Sequence, residues 1–97
     1  MNGGFRVIWR RRVSERQLAS IVVKAMERGE SVNAITAAVS EIDRLLATAP
    51  QAHGESRDHD KRVLIVPPLS VLYEILLEEA VVIVLGLHYR PQSMDDD

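Results

Sequence analysis

The apolar positions of this chain change period along its length. Phe5-Arg6-Val7-Ile8-Trp9 is a short β-branched and aromatic run, the composition of a strand. Beyond Arg10, Arg11 and Arg12, the apolar residues Leu18, Ile21, Val22 and Ala25 recur at helical spacing. Ser14 begins Ser-Glu-Arg-Gln, which reads as a capping box with Ser14 as N-cap and Gln17 reaching back. Gly29 supplies the stop, so a first helix is expected over 14–28. Ser31 or Asn33 can cap a second helix over 32–48. On it Ile35, Ala38, Val39, Ile42, Leu45 and Leu46 form one stripe, and Pro50 ends it. The turn between the two is so short that they must fold back as an antiparallel hairpin.

Residues 51–61 are polar, contain Gly54, His53 and His59, and read as a loop. After them come Val63-Leu64-Ile65-Val66, then Pro67-Pro68, then 69–77 and 80–87. Leu69, Val71, Tyr73, Ile75 and Leu77 alternate with Ser70 and Glu74, the period of a strand. Glu78-Glu79 stands where a tight hairpin turn belongs. The last run is apolar on both faces through 81–85, so it is expected to be central in its sheet and covered on at least one face. The predicted order is β-α-α-β-β-β. A helix pair with apolar stripes and a strand meander that needs a cover satisfy each other by packing together, which makes a two-layer α+β domain. Leu72, Leu76, Val82 and Val84 are expected to give the sheet a second apolar side, opposite Tyr73 and Ile75, that one helix hairpin cannot cover.

Composition narrows the class. With 97 residues, 46% hydrophobic and 27% charged, the chain suits one domain, expected over 1–94, ahead of an acidic tail at 95–97. It has no cysteine, which excludes a disulfide framework, a thiolate zinc site and a cysteine nucleophile. The longest apolar stretch, 80–87, is far short of the roughly 20 residues that span a bilayer. Met1-Asn2-Gly3-Gly4-Phe5-Arg6 lacks the basic start and apolar run of a secretion signal, so a cytoplasmic protein without membrane partners is expected. Charge is uneven: residues 1–28 carry +5, residues 29–60 carry −4 and residues 61–97 carry −3, giving the formal net −2. Such a balance does not predict strong nonspecific binding to nucleic acid.

The element order, Ile42-Asp43-Arg44-Leu45-Leu46 ahead of Pro50, Gly54-Glu55-Ser56-Arg57, Pro68-Leu69-Ser70-Val71-Leu72-Tyr73-Glu74-Ile75, and Val81-Val82-Ile83-Val84 followed by His88-Tyr89-Arg90 together resemble the RelE/ParE family of bacterial type II toxins. The resemblance runs from about Phe5 to Arg90. It implies a small cytoplasmic toxin neutralised by a cognate antitoxin. RelE-like members inhibit translation as endoribonucleases, cutting mRNA on the ribosome without metal through attack of a ribose 2′-OH on the adjacent phosphate. ParE-like members inhibit DNA gyrase and catalyse nothing. The resemblance leaves both open, together with a homologue that has lost activity, and implies no cofactor or metal.

Metal-free RNA cleavage needs a base, an acid and cations for the developing phosphate charge. The resemblance puts His88, Tyr89 and Arg90 at the end of the last strand in the catalytic set, with Arg57 and Arg62 flanking the loop into the second strand and Glu55 near a general-base position. Alternation sets His88 and Arg90 on one side and Tyr89 on the other, so the three act together only if the chain bends. A composite site is expected where the 54–62 loop meets 88–90, gathering Arg57, Arg62, His88 and Arg90. Where nucleases of the family place a phosphate-holding Arg, three residues before Tyr73, this chain has Ser70, whose hydroxyl supplies no charge. Plainer roles stand beside these. Arg57 and Arg62 suit a solvated or acid-paired surface, Tyr73 suits the core with its hydroxyl at the sheet edge, and His88 suits an ordinary strand end. His53 and His59 suit a solvated loop rather than a metal site. Arg10, Arg11 and Arg12 suit either an RNA backbone or a solvated connection, and Trp9 suits packing under the helices.

Overall fold

In the computed structural model, residues 4–58 and 60–90 are described, apart from the side chains of Arg57 and Asp58. The acidic tail at 95–97 and His59 lie outside the described residues. The elements are β1 (Arg6–Trp9), a π-helical turn (Arg12–Gln17) that runs into α1 (Leu18–Glu27), α2 (Val32–Thr48), β2 (Glu55–Asp58), β3 (Lys61–Val66), β4 (Leu69–Leu76) and β5 (Val81–Tyr89). One mixed sheet has the order β1-β5-β4-β3-β2, with β1 parallel to β5 and every other pair antiparallel. Both helices lie on one face. Ile21 and Ala25 of α1 and Ile35, Ala38, Ile42 and Leu46 of α2 are buried in one cluster with Leu64, Leu69, Val71, Tyr73, Ile75, Val82, Val84 and Leu87 of the sheet. This is the expected two-layer α+β arrangement, with β5 central between β1 and β4.

Local chemistry explains most boundaries. Ser31 caps α2 by accepting from the Ala34 N–H at 3.2 Å. Gly29, at φ 72°, closes α1: its N–H reaches the Met26 carbonyl and the Glu30 N–H reaches that of Ala25, the paired bonds of a Schellman ending. Trp9 packs against the core and donates its indole N–H to Asp43 at 2.9 Å.

Three expectations are corrected. Ser14 is not a cap. The helical chain starts earlier in a π-helical turn, Ser14 donates to the Arg11 carbonyl, and Gln17 accepts from the Leu87 N–H at 2.8 Å. Full burial of Val13 accounts for this, because it draws the turn before Ser14 onto the sheet. The 51–61 loop contains β2, a polar edge strand whose ladder to β3 needs no apolar alternation. Val82 and Val84 do not face away from Tyr73 and Ile75. They lie opposite them in register, on the helix side, and are fully buried.

A bulge decides which way the end of β5 faces. Leu72 pairs with Gly86 and Tyr73 with Val84, leaving Leu85 as the extra residue. The side-chain phase therefore slips by one. Leu87 joins Val82 and Val84 in the core opposite Val71, while His88 turns outward opposite Ser70.

Candidate functional site

The sheet face away from the helices carries the first candidate surface. Register places Val63 beside Leu72, Ile65 beside Ser70, and Ser70 beside His88 on that face. Ile65 is 52% exposed and Ile8 of β1 is 39% exposed. Lys61 and Glu74 face each other at one end of the β3–β4 ladder. No described helix packs on this side. At its β5 end the row Ile65, Ser70, His88 holds no lysine or arginine. His88 and Arg90 share this side by alternation, since Arg90 follows the register with its N–H on the Pro68 carbonyl.

Arg62 sits elsewhere. It faces the helix side, level with Tyr73, where its Nε donates to the His53 carbonyl at 3.0 Å and Nη2 to that of Gly54 at 3.1 Å. The Tyr73 hydroxyl, fully buried, shares its hydrogen between the carbonyls of Pro50 and His53, each at 2.9 Å. Burial raises the Tyr73 pKa above its ordinary value, and the Arg62 guanidinium opposes that rise. Gly54 completes this clamp: at φ 73°, a Cβ there would lie 2.7 Å from the Val63 carbonyl oxygen and 2.9 Å from the Tyr73 hydroxyl.

The five sequence candidates do not meet in one place. Arg62 and His88 differ by three register positions and two strands, about 10 Å in each direction, and point to opposite faces. Tyr89 turns to the helix side, where its hydroxyl is buried without a hydrogen-bond partner among the described residues, and the strand runs on through it without the bend that would unite it with His88. Arg57 belongs to β2, with its side chain outside the described residues. Glu55, opposite Val63, is likewise remote from His88. Arg44 bonds Glu41 at 2.6 Å on the exposed side of α2 and holds that carboxyl below the usual range. Among the described residues no group of three or more His, Asp or Glu is placed to hold a metal ion, and no helix is long and apolar enough to cross a membrane.

Sequence reasoning passed over a second surface. A groove of about 700 Å³ runs between α1 and the end of β5, with Arg16, Lys24 and Arg28 on one wall and Gln17, Leu87 and Tyr89 among the rest of its lining. Its signal was present as the four-residue steps from Arg16 through Ser20 and Lys24 to Arg28. The opposing wall comes from residues some 70 positions later in the chain, which no local pattern reveals.

No family model matches the chain, and no curated protein matches it. Among solved structures, a chain of the toxin-antitoxin complex RelBE2 from Mycobacterium tuberculosis superposes with a TM-score of 0.65, covering 93% of this chain and 95% of that one at 18% identity. The chain has a RelE-like fold. That bears out the fold resemblance carried by the motifs from Ile42 to Arg90. At this identity the likeness speaks for architecture, and roles for individual residues rest on their own geometry.

Proposed function

We propose that this chain is the toxin-type member of a toxin–antitoxin pair, acting in the cytoplasm through protein contact rather than by cutting RNA. The fold likeness to a chain of a toxin-antitoxin complex supports the class. The observation that favours contact over cleavage is the row Ile65, Ser70, His88, where the neighbours across the strands that could meet a scissile phosphate are an isoleucine and a hydroxyl, and the cation on that side, Arg90, stands past the end of β5. Arg62, a candidate cation on β3, already serves two backbone carbonyls on the opposite face. The uncovered face around Ile65 and Leu72 suits the antitoxin contact.

Cleavage of mRNA remains a second reading because His88 is exposed beside Arg90 on the same side. Induced expression in bacteria, following growth, mRNA integrity and DNA supercoiling together, separates the two. The contact reading expects growth arrest with intact mRNA, relief by the co-expressed product of the neighbouring reading frame, and unchanged toxicity in a His88→Ala, Arg90→Ala double variant. Relaxed plasmid DNA would identify gyrase as the target. Shortened transcripts that disappear in the double variant, with cleavage down by about 10²-fold, would establish the nuclease instead.

A further inference from the structure

The groove between α1 and β5 presents backbone as well as charge. β1 ends at Trp9, level with Val84, so Leu85 to Tyr89 has no described strand on that side. Because the Arg90 N–H bonds to the Pro68 carbonyl, alternation turns the peptide groups of Leu87 and Tyr89 away from β4 and toward the groove. The Leu87 N–H there is held by the Gln17 side-chain oxygen at 2.8 Å, an amide standing where the carbonyl of a neighbouring strand would be. An edge of this kind is a template for strand addition.

The facing wall supplies the charge. Arg16, Lys24 and Arg28 line the groove against one acid, Glu27. Arg28 is paired with Glu30 at 3.3 Å, whereas among the described residues no ion pair involves Arg16 or Lys24. Ile21 and Leu87, both buried, form an apolar floor.

We propose that this groove takes an extended acidic segment of a partner protein, added as a strand along Leu87–Tyr89 with its carboxylates against Arg16 and Lys24 and its aliphatic side chains over Ile21 and Leu87. Gln17 is the place-holder that the incoming strand displaces. A nucleic acid fits less well: the chain is net negative, Glu27 lies within the lining, and outward peptide carbonyls repel phosphate. The inference stands on the groove alone and does not need the toxin reading.

Fluorescence anisotropy of the full chain against a labelled peptide alternating Asp and Val tests it. Comparison ligands are a Lys-for-Asp peptide, a version N-methylated at alternate peptide bonds, and an oligouridine. Binding is expected for the acidic peptide only, weakening with salt and falling roughly tenfold or more on N-methylation or in an Arg16→Glu, Lys24→Glu variant of unchanged circular dichroism. Equal affinity for the N-methylated peptide would remove the strand-addition geometry. Tighter binding of oligouridine would reassign the groove to nucleic acid. A tenfold or greater gain on deleting residues 91–97 would make the chain's own acidic tail the occupant. No binding of the acidic peptide, or unchanged binding in the charge-reversed variant, overturns the proposal outright.

Discussion

Tyr73 shows what a single residue can and cannot reveal before folding. Its place in the core follows from the period-two alternation with Val71 and Ile75, and it is fully buried. Its hydroxyl was expected at the sheet edge. It is spent instead on carbonyls 20 and 23 positions away, which Arg62 and Gly54 help to hold. Tyr73→Phe removes the hydrogen from the buried Pro50 carbonyl while His53 keeps Arg62, so a loss of about 1–3 kcal/mol is expected in chemical denaturation. The pH dependence has a definite sign. The folded pKa of Tyr73 is raised above its ordinary 10.0, so its contribution is whole below about pH 10 and is lost as pH rises through the folded value. The stability gap between the native chain and Tyr73→Phe should therefore be flat below that point and narrow above it. A gap that widens with alkali would show that burial does not govern the phenol.

Among the elements, helices were more legible than strand faces. The stripe Ile35, Ala38, Ile42, Leu46 is the buried face of α2, and Ser31 caps it as its sequence position suggests. Ser31→Ala leaves the Ala34 N–H without its acceptor and is expected to cost about 1 kcal/mol, measured as a drop in melting temperature. Asn33→Ala, at the other cap candidate, should change little, because Asn33 lies inside the helix and is exposed. The start of the first helix was hidden because burial of Val13, a tertiary effect, outweighs the local capping signal of Ser14. β2 was hidden because an edge strand with polar residues carries no hydrophobic period. In β5 the apolar run 81–85 is equally apolar on both faces, so nothing in it fixes the phase. The bulge at Leu85 then reverses the parity for Leu87 and His88.

For the whole molecule, the separation of the two sheet faces is the property that function depends on. One face is filled by helices, the other keeps Ile65 and Ile8 in solvent, and the candidate residues divide between them. The sequence identified the layers correctly but could not sort Arg62 from His88. Their relation is set by register across β3, β4 and β5 rather than by spacing. If the open face is the partner surface, stability and binding should respond to different residues. Ile42→Ala, in the core at no exposure, is expected to cost about 2–5 kcal/mol. Ile65→Asp, at 52% exposure, should leave stability within about 1 kcal/mol while abolishing co-purification with the product of the neighbouring reading frame and the relief of toxicity by it. Thermal melts and co-expression of each variant measure the two effects separately. Retained co-purification and relief in Ile65→Asp would move the contact off this face. A collapse of stability in the same variant would instead show that Ile65 belongs to the packed core.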